Sequence, residues 1–435
     1  MAFEKRLYNE GGKEKLKRVL LINLQSYYDC NATGITLRSI FSELENVDFL
    51  DVYLYQNEQV DGIKKSVKLS NRINPIDMMI RGIFKRTLKS RIDNKIVSDE
   101  IQKKEGIVNK TKRFALGFCD CSPIIYSLDK KSQRLIDEFS PQIIYCMGAS
   151  VVAMKLATFY SKKYDIPIIM HHMDNWRETK YKDSFEGSFQ KKLQRQLKKI
   201  EYNNNYHLVI SDYMAEHYEK VYHNTFVPLM NTVTGIDIKR RSLSEGKKIT
   251  ITYAGGLHLG RWETIKSLER EIAINNLADC FSIIVYTDND SLNRYSQLFD
   301  SDITSFRSYV SREKIIQVYK ESELLLHVES FGEKYLDFTK YSLSTKIPEY
   351  LSSNRSILAL GNKNLASIRY VQKFNMGYVA TSEEEINLAL NLFLSERNSL
   401  LQSEKMDRAL SRFTNFHSGD YARNVFNNIF DRYNI

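Results

Sequence analysis

Short apolar segments alternate with amphipathic segments along most of the chain. In the second half the apolar segments span residues 249–254, 281–287, 304–307, 323–328, 355–360 and 376–380. Those in the first half span residues 18–24, 47–55, 141–147, 166–170, 207–210 and 225–228. Short apolar runs of this kind predict strands, and the segments between them have helical patterns. The alternation predicts βαβ units with parallel sheets, and hence an α/β fold.

The strands fall into two sets, which indicates two domains. A chain of 435 residues with 43% hydrophobic content exceeds the ~250–300 residues at which a single core stops growing. We place the join in the polar stretch 231–247, so that Rossmann-like domains span residues 1–232 and 233–414. We expect the final helix, within residues 415–435, to pack back on the first domain. Ligands bind beyond the carboxyl ends of parallel strands, so the fold predicts a site in a central cleft that both domains face.

Most of the net charge of +10 comes from one segment. Residues 61–115 contain fifteen Lys and Arg against six Asp and Glu, which predicts a basic insertion in the first domain with an anionic partner. Within it, residues 76–91 combine an apolar stripe at helical spacing with flanking positive charges. Such a helix can lie on an anionic membrane surface. An ordinary surface helix that packs its stripe on the core has the same pattern, so both interpretations stay open.

The stretch from Ile249 to Arg261 gives the strongest indication of a ligand. A β-branched strand runs into a turn with Gly255 and Gly256, and Arg261 follows at the predicted start of a helix. Glycines let backbone amides approach an anion closely, and a helix N-terminus adds partial positive charge. An arginine adds donors whose geometry matches phosphate. The pattern predicts phosphate binding at the start of the second domain, although a tight connection would also use glycines.

Cysteine usage and hydropathy predict a cytoplasmic protein. The five cysteines, at positions 30, 119, 121, 146 and 280, are an odd number scattered through a long chain, which fits reduced thiols. Residues 1–18 lack the apolar run of a signal peptide. No stretch approaches the ~18 consecutive apolar residues of a membrane span. Cys119 and Cys121 lack a second pair of ligands, so a metal site is not expected there.

Four motifs, in their order along the chain, resemble glycosyltransferases of the GT-B fold. Residues 253–261 (YAGGLHLGR) and 342–360 (SLSTKIPEYLSSNRSILAL) look like the donor half of the large retaining family of polysaccharide and glycolipid glycosyltransferases. Residues 31–36 (NATGIT) resemble the first loop of the acceptor domain, and residues 171–176 (HHMDNW) are similar to the loop that faces the sugar. The resemblance implies a nucleoside-diphosphate sugar as the donor substrate.

The resemblance also implies roles for two loops of the second domain. The leaving pyrophosphate gains charge, so cations and backbone amides aimed at it lower the barrier. The donor-binding residues implied in this way are Gly255, Gly256, Arg261, Ser344, Thr345, Lys346 and Glu349. Glu349 would accept hydrogen bonds from the ribose, although an exposed helix carboxylate is the alternative.

Neither a metal ion nor another cofactor is expected, because the GT-B arrangement uses protein cations in place of the metal. The run Asp288-Asn-Asp290 looks like the metal-binding DxD motif of the other glycosyltransferase architecture. Acidic turns after strands are common, however, since Asp and Asn stabilise turns.

His171, His172 and Asp174 are the predicted catalytic residues on the acceptor side. A histidine and a carboxylate at the end of a strand can orient a hydroxyl, take its proton or hold the donor sugar. Side chains alternate along a strand, so we expect one histidine to face the cleft, and His172 shares its parity with Asp174. A buried pair that satisfies backbone groups is the alternative. Thr33 and Gly34 are predicted to lie in the acceptor-side loop.

The chain departs from the family pattern at one place. Many members of the retaining family have two closely spaced glutamates, of which the earlier lies near the sugar. Here Glu329 and Glu333 are both far from Glu349, and residues 331–341 look like an enlarged loop. The role of Glu329 and the stereochemical outcome are therefore left open.

These observations predict a glycosyltransferase that moves a sugar from a nucleoside-diphosphate sugar to a polysaccharide, oligosaccharide-lipid or related acceptor in cell-surface glycan biosynthesis. The alternatives are a nucleotide-sugar epimerase or hydrolase of the same fold and, from other classes, a nucleic-acid-binding protein or a non-catalytic scaffold. A nucleic-acid partner is not expected, because the basic segment has little aromatic interleaving. The enzyme would be cytoplasmic, and peripheral on the inner face of the plasma membrane if residues 76–91 dock there.

Overall fold

The structure, a computed structural model, describes most of the chain. The described residues are 16–29, 32–55, 66–68, 117, 120–121, 128, 130–182, 187–202, 205–233 and 248–435. They divide into two compact units. The described parts of Met1–His171, Lys180–Tyr206 and Phe426–Ile435 make the first unit, and those of His172–Thr179 and His207–Val425 make the second.

The first sheet has seven described strands in the order β3-β2-β1-β4-β5-β6-β7. They are β1 Lys17–Gln25, β2 Val47–Tyr55, β3 Ser66–Lys68, β4 Ile143–Met147, β5 Ile168–His172, β6 Tyr206–Val209 and β7 Val227–Pro228. β1 pairs in parallel with both β2 and β4. The chain therefore adds β2 and β3 on one side of β1 and β4 to β7 on the other side, with the switch between β1 and β4. At such a switch point the loops after the two strands diverge and leave a crevice for ligands.

The second sheet has six described strands in the order β10-β9-β8-β11-β12-β13. They are β8 Ile249–Ala254, β9 Phe281–Thr287, β10 Thr304–Ser308, β11 Leu324–Val328, β12 Ser356–Leu360 and β13 Tyr378–Ala380. β8 pairs in parallel with both β9 and β11. The switch point of this sheet therefore lies between β8 and β11, and it brings the glycine turn after β8 close to the loop after β11.

The described helices connect the strands and cover the sheets. They are α1 Ala32–Phe41, α2 Lys130–Phe139, α3 Val151–Tyr164, α4 Trp176–Thr179, α5 Gly187–Tyr202, α6 Asp212–Tyr222, α7 Arg261–Ile274, α8 Asn289–Tyr295, α9 Arg312–Glu321, α10 Leu336–Thr339, α11 Lys346–Ser352, α12 Ala366–Lys373, α13 Ile386–Glu396, α14 Leu400–Phe416 and α15 Gly419–Arg432. Serines begin several of them: Ser150 and Ser211 accept hydrogen bonds from amides in the first turns of α3 and α6. None of these described helices has the length and apolar content that a membrane span needs.

Each unit has its own hydrophobic core. In the first, residues 19–22 of β1 are fully buried, as expected for a parallel strand covered on both faces. α5 packs one apolar face there, with Phe189, Leu193 and Leu197 in the core. In the second, β8, β9 and β11 supply the centre of a separate cluster.

The strands predicted from the sequence are confirmed, and so is the α/β fold with two parallel sheets. The short strand β3 was not predicted. The rest of the basic segment 61–115, including residues 76–91, lies outside the described residues, as do residues 234–247 of the predicted join. The last turns of α15 belong to the first unit, where the Phe426 ring lies 5.3 Å from that of Phe41. The predicted domain boundaries stay predictions.

Candidate functional site

The loop after β8 forms a glycine turn that leads into α7. The Gly255 amide donates to the carbonyl of Tyr286 (2.8 Å), and the Tyr253 hydroxyl donates to the carbonyl of Gly256 (2.8 Å). The turn is therefore fixed by the strand beside it and by the strand that precedes it. It ends where α7 begins at Arg261, so the partial positive charge of a helix N-terminus lies close by.

The amine of Lys346 lies against this glycine turn. A Cβ atom at Gly255 would overlap the Lys346 Nζ, so the approach of the lysine requires a glycine there. Nζ lies 5.1 Å from the centroid of the Tyr253 ring. Burial of the amine, together with the nearby Arg261 guanidinium, lowers the pKa of Lys346 to about 8. An anionic ligand in the turn would therefore stabilise the ammonium form of Lys346.

A carboxylate after β11 holds Arg261 in place. The arginine Nε donates to Oε2 of Glu329 (3.1 Å), and Nη2 donates to Oε1 (2.9 Å). The two side chains are 15% and 8% exposed, so water screens this bidentate pair only weakly. Glu329 is itself fixed, because its amide donates to the Leu360 carbonyl (2.9 Å) and the Thr264 hydroxyl donates to its carbonyl (3.0 Å). The guanidinium is therefore preorganised beside the turn.

The loop before α11 carries the other predicted donor-binding residues. The Ser344 hydroxyl accepts a hydrogen bond from the amide of Lys346 (3.4 Å). Thr345 is exposed, and its carbonyl accepts from the side-chain amide of Asn231 (3.2 Å). Glu349 lies one turn along α11, close enough to raise the pKa of Lys346 against the effect of burial. The predicted donor residues are thus close together in the second unit, while their binding role stays a prediction.

Two histidines next to these cations were not predicted as site residues. His258 lies in the turn, where burial, Arg261 and Lys346 lower its pKa. His327 lies in β11 and is 2% exposed. Burial, followed by the charges of Lys346 and Arg261, lowers the pKa of His327 to about 3, so this imidazole is neutral. A histidine one position from the end of a buried strand, two residues before Glu329, is the signal that could have identified it.

Asp288 caps a helix. It follows β9, and its Oδ1 accepts a hydrogen bond from the Ser291 amide (2.8 Å) at the start of α8. That hydrogen bond is the main reason why the pKa of Asp288 is lowered. Within the described part of the chain, no three His, Cys, Asp or Glu side chains are grouped so that they could hold a metal ion. The cap explains the acidic turn without a metal, and metal-independent activity stays a prediction.

His171 and His172 are both buried and make different contacts. In the first unit, Nδ1 of His171 lies 2.5 Å from the Tyr145 hydroxyl. In the second unit, the His172 ring lies 5.4 Å from Tyr218 and 6.0 Å from Phe226, edge-on in both cases. The exposed fractions are 0% and 1%. The two rings pack against different partners, as alternation along a strand requires, and their catalytic role stays a prediction.

Asp174 hydrogen-bonds with the loop that leads to α11. The Ser342 hydroxyl donates to its Oδ1 (2.7 Å), and both residues belong to the second unit. Burial raises the pKa of Asp174 to about 6, against the lowering effect of the Ser342 hydrogen bond. A carboxyl group with this pKa can accept a proton near neutral pH, as a general base must. The sequence suggested Asp174 but gave no sign of its contact with Ser342.

Thr33 and Gly34, which were expected in a loop, lie in the first turn of α1. Gly34 lies in α1, where a Cβ atom would overlap the carbonyl oxygen of Asp29. Arg38 Nη1 donates to that same oxygen and to the carbonyl of Tyr27, at 2.7 Å in both cases. Thr33, next to Gly34, is half-buried. Gly34 therefore has a role in backbone packing, and acceptor binding by Thr33 and Gly34 stays a prediction.

A buried carboxyl group in the neighbouring strand supports the segment directly after β1. Asp51 in β2 accepts hydrogen bonds from the Ser26 hydroxyl (2.7 Å) and the Tyr27 amide (3.0 Å). Burial raises the pKa of Asp51 to about 7, although both hydrogen bonds lower it. The sequence did not predict this residue, because an aspartate within a strand is not recognisable as a loop support without knowledge of the pairing.

Comparison with known proteins found similar folds among solved structures. No protein-family model matches the chain, and no curated protein matches it. Among solved structures, Anabaena HepE in complex with UDP has a TM-score of 0.57 and 12% identity, over 96% of this chain and 100% of that one. A trehalose 6-phosphate synthase from Burkholderia multivorans has a TM-score of 0.56 and 9% identity, over 96% and 97%. A glycosyltransferase from Rickettsia africae has a TM-score of 0.54 and 11% identity, over 96% and 98%.

The chain has the GT-B fold. The matches extend over almost the whole chain and over almost the whole of each matched structure, which agrees with the two parallel sheets. The fold expected from the sequence motifs is therefore confirmed. At these identities the likeness establishes the GT-B architecture, and activity has to be argued from the residues of the site.

Proposed function

We propose that this GT-B protein is a glycosyltransferase whose second unit binds a nucleoside-diphosphate sugar at the glycine turn. The observation that carries the proposal is the Lys346 amine against Gly255, with the Arg261 guanidinium fixed nearby by Glu329. Two cations and the amides of a helix N-terminus are the groups that recognise a diphosphate. The solved structure of HepE, which has the same fold, contains UDP.

The proposed chemistry follows from the charge of the leaving group. When the bond between the sugar and the phosphate breaks, negative charge builds up on the nucleoside diphosphate. Lys346 and Arg261 would stabilise that charge as it develops, which lowers the barrier to transfer. We propose that these cations remove the need for a metal ion. Chelation should therefore leave turnover intact, whereas activity that is lost on chelation and restored by Mn²⁺ would reassign Asp288 and Asp290 as ligands.

Asp174 is the group that we propose to take the proton of the acceptor hydroxyl. Its pKa of about 6 leaves it mostly ionised at neutral pH, and its bond to Ser342 connects it to the loop that carries Lys346. His172, which packs against Tyr218 and Phe226, would hold the segment that carries Asp174. The acceptor class, a polysaccharide or an oligosaccharide-lipid in the cytoplasm, is proposed from the sequence motifs alone.

Nucleotide binding by calorimetry tests the donor site. UDP and GDP, used separately because the base is unknown, should bind the wild-type protein. Lys346→Ala removes a charged hydrogen bond of about 1.5–3 kcal/mol, so it should weaken binding at least tenfold. The control is Lys314→Ala, which removes an exposed lysine from α9 in the same unit and should change nothing. Unchanged affinity in both Lys346→Ala and Arg261→Ala would refute the assignment.

Product analysis separates transfer from the alternatives of the same fold. A panel of nucleotide sugars is incubated with the protein, first without and then with candidate glycan acceptors. A glycosyltransferase should hydrolyse its donor slowly and transfer the sugar when an acceptor is present. Conversion of the sugar to its epimer, or rapid hydrolysis that acceptors do not divert, would identify an epimerase or a hydrolase instead.

A further inference from the structure

A groove on the first unit combines positive charge with exposed aromatic rings. It is lined by residues of α3 and α5 and has a volume of about 1030 Å³. Its basic lining residues are Lys155, Lys162, Lys191, Arg195, Lys198 and Lys199. Among the described residues, no acidic side chain lines it. We call this feature the basic groove.

The positive charge of the basic groove follows from the sequences of its two helices. α3 contains no acidic residue, and α5 contains only Glu201. Along α3, Lys155, Phe159 and Lys162 lie four and three residues apart, so they share one face. α5 buries its apolar face in the core, which leaves its lysines and Arg195 on the opposite side. The two helices therefore present their charged faces to the same groove.

Two exposed aromatic side chains lie among these cations. Phe159 is 57% exposed and Tyr202 is 91% exposed, and both line the groove. The core cluster of the unit contains Leu193 and Leu197 from α5 and includes neither of these two rings. Aromatic rings that stay exposed beside lysines are typical of surfaces that meet the headgroup region of a bilayer.

We propose that the basic groove docks the protein on an anionic phospholipid surface. Lysine side chains can place their apolar stems along the acyl boundary while their ammonium groups reach phosphates, and six cations provide strong attraction to anionic lipids. The apolar Phe159 ring favours a bilayer over a soluble polyphosphate, because a polyphosphate chain offers no apolar contact. The proposal uses described residues other than 76–91 and does not depend on glycosyl transfer.

Vesicle sedimentation tests the proposal with the full chain. The probes are vesicles of phosphatidylglycerol and phosphatidylcholine mixed in equal parts, and vesicles of phosphatidylcholine alone. The groove variant is Lys155→Gln/Arg195→Gln/Lys198→Gln. The matched control, Lys130→Gln/Lys131→Gln/Arg134→Gln, removes the same charge from exposed positions of α2 in the same unit. A third variant, Phe159→Ser/Tyr202→Ser, removes the aromatic rings and keeps the charge.

The wild-type protein and the α2 control should bind the anionic vesicles at low salt and ignore the neutral ones. Each basic residue near an anionic surface is worth about a fivefold change in binding, so the groove variant should bind roughly a hundredfold more weakly. Binding should also weaken as salt shortens the screening length. The aromatic variant has the same charge as the wild type and should bind more weakly than the wild type.

Three results would overturn the proposal. The first is a wild-type protein that does not bind anionic vesicles at low salt. The second is an equal effect of the groove variant and the α2 control, which would indicate attraction by net charge alone. The third is binding of single-stranded RNA or polyphosphate at the groove in preference to vesicles, which would make it a site for a soluble polyanion. All variants carry exposed substitutions, and an unchanged melting temperature confirms that they fold.

Discussion

The low pKa of Lys346 implies that this lysine destabilises the ligand-free protein at neutral pH. Its pKa is about 8, against 10.5 for an ordinary lysine. The difference of about 2.5 units, at 1.36 kcal/mol per unit, corresponds to about 3 kcal/mol in favour of the neutral amine. Lys346→Met removes the charge and keeps most of the side-chain length. We therefore expect the unfolding free energy of this variant to be about 1–3 kcal/mol higher than that of the wild type at pH 7.

The pH dependence gives the sharper form of this prediction. Below pH 8 both the folded and the unfolded wild type carry the proton, so the full penalty is present. Between pH 8 and 10.5 the folded protein releases the proton while the unfolded chain keeps it, so wild-type stability rises. The advantage of Lys346→Met should therefore shrink over that range and be absent above it.

Urea denaturation between pH 7 and pH 10 measures this effect, with Lys314→Met as the exposed control from α9. The control should track the wild type at every pH. A Lys346→Met variant that is less stable than the wild type at pH 7 would refute the reasoning, because the buried ammonium would then be net stabilising. So would an advantage that stays constant from pH 7 to pH 10.

Two further predictions concern the carboxylates of the second unit. Glu329→Gln leaves the largely enclosed Arg261 guanidinium, 15% exposed, without its bidentate partner, so we expect a loss of about 3 kcal/mol in unfolding free energy and weaker nucleotide binding. If this isosteric variant is as stable as the wild type in urea, the pair has no preorganising role. Asp174 has a folded pKa of about 6 against 3.8, so its ionisation lowers stability as pH rises from 4 to 6, and Asp174→Asn should flatten that dependence. The same variant should lose glycosyl transfer at least a hundredfold and keep its nucleotide affinity, whereas transfer within twofold of the wild type would exclude Asp174 as the base.

The fold was predictable because its main determinants are local. Parallel strands covered by helices on both faces must be nearly continuous apolar runs, and β8, β9 and β11 are of that kind, as is β12. The glycine turn was also predictable from the sequence, since Gly255 and Gly256 follow an apolar strand directly. The short strand β3 was not predicted, because its three residues have no apolar run and depend on pairing with β2.

The contacts of the site could not be predicted, because they join positions far apart in the sequence. The sequence predicts Arg261 as a phosphate ligand, whereas its bond to Glu329 depends on the switch point between β8 and β11. The hydrogen bond from Ser342 to Asp174 joins residues 168 positions apart. Burial of a polar residue such as His327 is equally a property of the packed sheet, and no periodicity in the sequence reports it.

The neutral state of His327 determines how much positive charge the glycine turn can hold. An imidazole surrounded by protein beside Lys346 and Arg261 resists protonation down to a pKa of about 3, so His327 adds no positive charge to theirs across the physiological range. A nucleoside-diphosphate sugar brings two negative phosphate charges to such a place. A lysine or arginine at position 327 would add a third positive charge in the same volume, and the turn would then favour more highly charged anions, such as nucleoside triphosphates, over the sugar-bearing diester. An uncharged ring in β11 thus keeps the positive charge at the turn matched to the diphosphate of the donor that we propose.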